Sequence, residues 1–192
     1  KLGEMLDSKS WVNALVALLS SGGSTNLTIH LIAMAEAGGY KITLEDMNNL
    51  SEVIPSLTSV YPSGKADVNE FHKAGGVAAL IGSLLDGGYL FNDVKTLLGN
   101  DLSIYRNIAE IKNDELVWET PSRILDQSII RDHKNPFNSS GGLKLMSGNL
   151  GEGIIKTSAL NSKDESITAP AVVFNDQEEV EHAFAKGVLN KD

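Results

Sequence analysis

The chain has 192 residues, of which 42% are hydrophobic and 21% charged, as in a soluble globular protein with a real core. Its net charge of −9 and the lack of a Lys/Arg cluster argue against nucleic acid as a partner. The absence of cysteine excludes disulfides, thiolate catalysis and cysteine-held metal clusters within these residues. We expect no membrane span, no signal peptide and an internal piece of a longer, cytoplasmic protein.

Two apolar helices joined by a Gly-Gly turn are predicted first. Ser10 is the expected N-cap of a helix from Trp11 to about Ser20, which is apolar almost all round and therefore buried. A second helix is predicted from about Thr25 to Ala37, where Gly38-Gly39 ends it. The side chains expected to face the core from this helix are Leu27, Leu31, Met34 and Ala35.

The turn between these helices is the first candidate for a ligand site. Ser24 or Thr25 is the natural N-cap, and unpaired N–H groups together with the helix dipole favour an anion there. The alternative is a tight turn whose cap serves only its own helix. The candidate substrate-binding residues are Gly22, Gly23, Ser24, Thr25, Asn26, His30 and Lys65.

Two of these candidates have competing interpretations. His30 lies one helical turn beyond Asn26, so both could bind a hydroxylated ligand, but His30 could equally be a core histidine bonded to a backbone carbonyl. Lys65 is a cation in a Pro-Ser-Gly-Lys turn that could bind a carboxylate or phosphate, or could be a solvated lysine.

The rest of the first half is also predicted to be helical. Thr43 caps a short helix that runs to Leu50, and Asp67 with Glu70 forms a capping-box pattern that opens a helix to Asp86. Gly75-Gly76 falls inside that last helix, which indicates either a helix break or close approach of another backbone.

The second half has a different character. Residues 101–140 show little helical periodicity and are predicted to form a connection. Strands are predicted at 143–146, 153–160 and 167–174, followed by a helix from Asp176 to Lys186. The predicted fold class is α+β or α/β. The predicted parts are a helical part (1–104), a connection (105–140) and a strand-rich part (141–192) that looks cut from a larger β domain.

Several motifs, in order along the whole chain, resemble the dihydroxy-acid/6-phosphogluconate dehydratase family. They are Gly22-Gly23-Ser24-Thr25-Asn26 with His30-Leu31, Tyr61 to Asp67, Ala74-Gly75-Gly76, Gly141-Gly142-Leu143 and Gly148-Asn149-Leu150-Gly151. The Val60–Asp67 and Gly148–Gly153 stretches are more similar to the sugar-acid branch than to the branched-chain amino-acid branch.

The resemblance implies a cytoplasmic homodimer that removes water from a sugar-acid phosphate. It implies dehydration of 6-phosphogluconate to 2-keto-3-deoxy-6-phosphogluconate in the Entner–Doudoroff pathway. It also implies a 4Fe-4S cluster as Lewis acid and Mg²⁺ as a further metal. In fold, it implies that residues 1–104 are the helical part of an N-terminal α/β domain and that residues 141–192 are the start of a C-terminal β-barrel-like domain. Because the family's cluster cysteines, magnesium carboxylates and catalytic serine lie outside this segment, no catalytic residue and no metal ligand is assigned here.

Two other functions stay open at this point. One is the dihydroxy-acid dehydratase of branched-chain amino-acid synthesis. The other is a non-catalytic structural or binding fragment that uses the Gly22-Gly23 turn.

Overall fold

The computed structural model describes residues 1–160, 166 and 168–189. The chain divides into two compact units, residues 1–160 and 161–192. The helices are α1 (Ser8–Ser20), α2 (Thr25–Ala37), α3 (Leu44–Val53), α4 (Val68–Lys73), α5 (Gly76–Asp86) and α6 (Gln177–Ala185). The strands are β1 (Asn107–Lys112), β2 (Glu115–Pro121), β3 (Lys144–Gly148) and β4 (Gly151–Ile155). The strands form two antiparallel hairpins, β1–β2 and β3–β4, so the predicted α+β class is confirmed.

The polar residues that begin the helices are mostly those the sequence predicts. Ser24 caps α2, Thr43 caps α3 and Asp67 caps α4. The predicted cap of α1 is wrong: Asp7, not Ser10, is its N-cap. The Ser10 amide and hydroxyl instead donate to the Asp7 carboxylate at 2.8 and 2.9 Å, so α1 begins three residues earlier than expected.

α2 is less buried than its composition predicts. Leu31 and Ala35 belong to the core, at 6% and 0% exposure, as expected. Leu27 and Met34 were expected there too but are 38% and 48% exposed. The reason is that α2 is apolar around most of its circumference, so its sequence does not indicate which stripe faces α1.

One hydrophobic core joins the helices to the β3–β4 hairpin. Leu19, Met47 and Leu84 lie at its centre, and Leu143, just before β3, is 1% exposed within the same cluster. The buried Ser51 hydroxyl on α3 donates to the Leu143 carbonyl at 2.5 Å. The hairpin is therefore fixed to the helical core by a buried polar contact as well as by apolar packing.

The segment predicted as a connection contains the β1–β2 hairpin, which sequence reasoning missed. The turn of this hairpin, Asn113-Asp114, has positive φ at both residues, as a tight turn between antiparallel strands requires. Buried Ile129 and Ile130 follow it. The predicted division of the chain at residues 104 and 140 remains a prediction.

The strand predicted at 167–174 is wrong where it can be checked, since 168–174 form no strand, while Ile167 lies outside the described residues. The strands predicted at 143–146 and 153–160 correspond to β3 and to β4, which ends at Ile155. In the second unit, Asp176 caps α6 by accepting from the Glu179 amide at 2.9 Å, as predicted. Among the helices of the described residues, none has the length and hydrophobicity needed to cross a membrane.

Candidate functional site

The turn between α1 and α2 is shaped by one glycine in the left-handed conformation. Gly22 has φ of +55°, in the left-handed region that favours glycine, whereas Gly23 does not have a positive φ. The turn begins as α1 ends, with the Gly23 amide donating to the Leu18 carbonyl at 3.0 Å. From the segment after α3, the Thr58 hydroxyl donates to the Ser21 carbonyl at 2.7 Å, which anchors the turn from outside the two helices.

Backbone N–H groups are available where α2 begins. The Ser24 side chain accepts from the Asn26 amide at 3.2 Å, and the Ser24 carbonyl accepts from the Leu27 amide at 3.0 Å. Within the part of the chain that the structure describes, the amides of Ser24 and Thr25 have no hydrogen-bond partner. Such amides, at the positive end of a helix dipole, favour an anionic or strongly accepting group.

These amides lie at a cleft of about 500 Å³, which we call the turn cleft. Its lining residues are Ser21, Gly22, Gly23, Ser24, Thr25, Asn26, Val60, Tyr61, Pro62 and Lys156. The cleft therefore joins the start of α2 to the segment before α4 and to the residue that follows β4.

Lys156 brings a positive charge to the turn cleft. Its Nζ donates to the carbonyl oxygens of Gly22 at 2.6 Å and Gly23 at 3.2 Å. Burial lowers the pKa of the Lys156 ammonium from its ordinary 10.5. No carboxylate lies within ion-pair distance of it among the described residues. Among the described residues, the groups that face this charge at hydrogen-bond distance are the two carbonyl oxygens.

The chain on either side of Lys156 is held in place. Ile154, two residues before it, packs against the main core. Ser158, two residues after it, donates its amide to the Gly142 carbonyl at 3.3 Å, and its hydroxyl pairs with the Ser63 hydroxyl at 2.8 Å. The lysine therefore reaches the turn from a fixed backbone.

The structure brings together five of the seven predicted site residues. Gly22 to Asn26 all line the turn cleft. His30 and Lys65 are exposed and do not line it. The alternative interpretation of His30 as a core histidine is wrong, because α2 turns that side chain to the surface. The role of both residues in binding remains a prediction.

Sequence reasoning missed Lys156. The only signal for it was one charged residue directly after the β-branched pair Ile154-Ile155, at the end of a strand. A lysine in that position is usually solvated, and nothing in the sequence indicates that it reaches a turn 134 residues earlier.

A second and larger cleft, of about 640 Å³, lies between α5 and the β1–β2 hairpin; we call it the hairpin groove. Tyr105 and Trp118 meet edge to face at its wall, with ring centroids 5.4 Å apart. Gly75 and Gly76 border it, with φ of +128° and +61°. Its lining is mainly apolar, with His72, Lys73, Tyr105 and Arg123 as its charged or titratable members. The residue that caps α5 there is Gly75, which makes no side-chain cap hydrogen bond, so the groove lacks the hydroxyl cap of the turn cleft.

Metal ligands are not clustered in this part of the protein. Among the described residues, no group of three His, Cys, Asp or Glu side chains is arranged to hold a metal ion. The turn cleft offers amides, hydroxyls and one ammonium group, which suit an oxygen-rich anion rather than a cation.

Comparison with protein families matches both parts of the chain. Residues 1–107 match the model of the dihydroxy-acid/6-phosphogluconate dehydratase N-terminal region, and residues 128–192 match that of the C-terminal region.

Curated relatives agree with this match over the whole chain. The chain is 46% identical over 192 residues to a phosphogluconate dehydratase of Pseudomonas aeruginosa, covering 100% of the chain and 32% of that relative. It is 45% identical to a phosphogluconate dehydratase of Zymomonas mobilis, with coverage of 100% and 32%. A dihydroxy-acid dehydratase of Chloroflexus aggregans is 34% identical, with coverage of 97% and 31%. The chain thus spans about a third of the length of the curated relatives it matches.

Proposed function

We propose that the whole protein dehydrates a phosphorylated sugar acid, because this chain belongs to the dihydroxy-acid/6-phosphogluconate dehydratase family. The observation that carries the choice of substrate is the difference in identity, 46% to a phosphogluconate dehydratase against 34% to a dihydroxy-acid dehydratase. The proposed reaction removes the C2 proton and the C3 hydroxyl of 6-phosphogluconate as water. The enol that results tautomerises to 2-keto-3-deoxy-6-phosphogluconate, a step of the Entner–Doudoroff pathway.

The turn cleft is the proposed contribution of this segment to substrate binding. A sugar-acid phosphate carries a phosphate, a carboxylate and several hydroxyls, all of which accept hydrogen bonds. The free amides of Ser24 and Thr25 and the ammonium group of Lys156 are donors of the matching kind. We assign Gly22, Gly23, Ser24, Thr25 and Asn26 to this binding surface. His30 and Lys65 could reach a ligand only beyond the lining of the cleft.

The residues of this chain do not fit the metal groups that the family implies. The chain has no cysteine to hold a 4Fe-4S cluster, and its described residues contain no carboxylate group arranged for Mg²⁺. The ligands of both groups are therefore sought elsewhere in the whole protein, and no chemical step is assigned to them here. The whole protein is further proposed to be a cytoplasmic homodimer.

The test is a substrate comparison on the full-length protein, purified without oxygen. Formation of 2-keto acid is measured with 6-phosphogluconate and with 2,3-dihydroxyisovalerate. The proposal predicts a higher kcat/KM for 6-phosphogluconate. A preference for 2,3-dihydroxyisovalerate would assign the protein to the branched-chain amino-acid branch of the family. If the protein turns over neither substrate, that result contradicts a dehydratase function.

A further inference from the structure

Lys156 reaches the turn cleft from a distant part of the chain and touches the backbone of the turn directly. Its Nζ donates to two successive carbonyls, those of Gly22 and Gly23, at 2.6 and 3.2 Å. An ammonium group has three donors, so one N–H remains for another acceptor. Because Lys156 lines the cleft itself, that remaining donor belongs to the same surface as the amides of Ser24 and Thr25.

The two bonds made by Lys156 fix the orientation of two peptide units. A peptide unit is planar, so holding the Gly22 carbonyl on one side directs the Gly23 amide to the other side. In the same way, holding the Gly23 carbonyl fixes the direction of the Ser24 amide. Glycine would otherwise leave these units free to rotate, since it has no Cβ to restrict φ and ψ.

The local sequence provides this control for only one of the two units. The Gly23 amide donates to the Leu18 carbonyl, which orders the unit that joins Gly22 to Gly23, whereas the Ser24 cap orders the first turn of α2 without contacting the Gly23 carbonyl. The unit that carries the Ser24 amide is therefore the one whose orientation depends on Lys156. Lys156 has no carboxylate partner among the described residues, and burying part of a cation in this way has a free-energy cost. The attraction between its ammonium group and the dipoles of the Gly22 and Gly23 carbonyls offsets that cost, but only while the turn keeps this geometry.

We propose that Lys156 is a positioning residue for substrate binding, which holds the Gly22-Gly23 turn so that the amides at the start of α2 face the cleft. The proposal rests on the proposed function for its substrate. It adds that the segment after β4 helps to determine substrate binding at a turn 134 residues earlier in the chain.

The test uses the full-length protein with Lys156→Met, Lys156→Arg and Lys144→Met. Lys144 is an exposed lysine on β3, so Lys144→Met removes a charge from the same hairpin without touching the turn. Lys156→Met is expected to raise KM for 6-phosphogluconate about tenfold, which is about 1.4 kcal/mol of binding, with a much smaller change in kcat. Lys156→Arg, which keeps donors for both carbonyls, should restore part of the affinity, and Lys144→Met should match wild type.

A second readout does not depend on the identity of the substrate. Hydrogen exchange of the peptide that spans residues 18–28 is measured by mass spectrometry in the same variants. Faster exchange in Lys156→Met, but not in Lys144→Met, supports the positioning role even if 6-phosphogluconate proves not to be the substrate. Unchanged exchange together with wild-type KM in Lys156→Met overturns it, and a fall in kcat with unchanged KM contradicts it as well.

Discussion

Gly22-Gly23 and Gly75-Gly76 each separate two helices, but their surroundings differ. A Cβ on Gly22 would meet the Ser63 hydroxyl at 3.2 Å, beside an open cleft. A Cβ on Gly75 would lie 2.4 Å from the Arg123 carbonyl and 2.7 Å from the Ala79 Cβ. The first pair keeps a turn open; its own amides bond back to the Leu19 and Leu18 carbonyls of α1, and the amides of Ser24 and Thr25 that follow have no partner among the described residues. The second lets the chain before α5 pack directly against the backbone that follows β2.

The two clefts beside these glycine pairs show that the size of a cleft does not by itself identify a ligand-binding site. The hairpin groove, at about 640 Å³, is larger than the turn cleft, at about 500 Å³. Among the described residues, the turn cleft adds to its free amides a hydroxyl cap and a partly buried lysine that bonds to the turn itself, whereas the hairpin groove has cations at its wall but no side-chain cap on α5. Polar groups that converge on one space are the better indicator of ligand binding.

The largest expected effect is that of Gly75→Ala on stability. The added Cβ overlaps a backbone carbonyl, and φ of +128° is a conformation that L residues rarely adopt. We expect a loss of about 2–5 kcal/mol, from strain and overpacking together. Thermal unfolding of the full-length protein measures it. Gly39→Ala is the control, since Gly39 has φ of +82° but nothing near its Cβ, so it should lose only about 1–2 kcal/mol. Equal losses would contradict the role of close packing at Gly75.

Ser51→Ala is expected to have the next largest effect, because it removes one of the buried contacts between the core and the hairpin that leads to Lys156. The Leu143 carbonyl would lose its buried donor, at a cost of about 1–3 kcal/mol. KM should rise as well, since the backbone that carries Lys156 is less firmly held. Melting temperature and steady-state kinetics measure both effects, with Ser147→Ala on the exposed part of β3 as control. Wild-type stability in Ser51→Ala would show that this contact does not anchor the hairpin.

Gly22→Ala should affect substrate binding more than Gly23→Ala does. Only Gly22 has a positive φ, so a Cβ there costs about 1–2 kcal/mol and either shifts the turn or displaces Ser63. The Cβ of Gly23→Ala would meet the end of the buried and flexible Leu18 side chain at 2.8 Å, which can shift without a change in the backbone of the turn. KM for 6-phosphogluconate, measured beside the melting temperature, compares the two. A larger rise in KM for Gly23→Ala would show that Gly23, and not Gly22, is the glycine that substrate binding depends on more.

We expect the smallest loss of stability at the N-terminal cap of α3, which lies outside both glycine pairs. Hydrogen bonds donated by the Thr43 hydroxyl and amide lower the pKa of Asp46 below its ordinary 3.8. A lowered pKa means that the carboxylate stabilises the fold above pH 3.8 and that this stability is lost as pH falls through the lower folded-state value. Asp46→Asn should therefore cost about 0.5 kcal/mol at neutral pH. The difference in melting temperature from wild type should shrink below pH 3.8; a constant difference would contradict the cause given for the pKa.

Hydrogen bonds between residues that are close in the chain account for the helix caps that the sequence predicted correctly. Ser24, Thr43, Asp67 and Asp176 each cap a helix because a short polar side chain can reach an amide two or three residues ahead. The turn residues Gly22 to Asn26 likewise lie in one cleft, since they are neighbours in the chain.

Contacts between residues that are distant in the chain account for the features that the sequence did not predict. Whether Leu27 or Leu31 is buried depends on which side of α2 meets α1, and an apolar helix does not encode that choice. The space at Gly75 is taken by Arg123, and the carbonyls of the turn are taken by Lys156. The Gly75-Gly76 pair indicates that another backbone comes close, but not which one, and the stretches around Gly22 and Lys156 do not indicate that they meet.

Whether the turn cleft binds substrate is tested most sharply by a structure of the full-length protein with 6-phosphogluconate bound. We expect an anionic or hydroxyl oxygen of the substrate within hydrogen-bond distance of the Ser24 or Thr25 amide, with Lys156 still bonded to the Gly22 and Gly23 carbonyls. Substrate bound in the hairpin groove, or bound elsewhere with the turn cleft filled only by solvent, would contradict it.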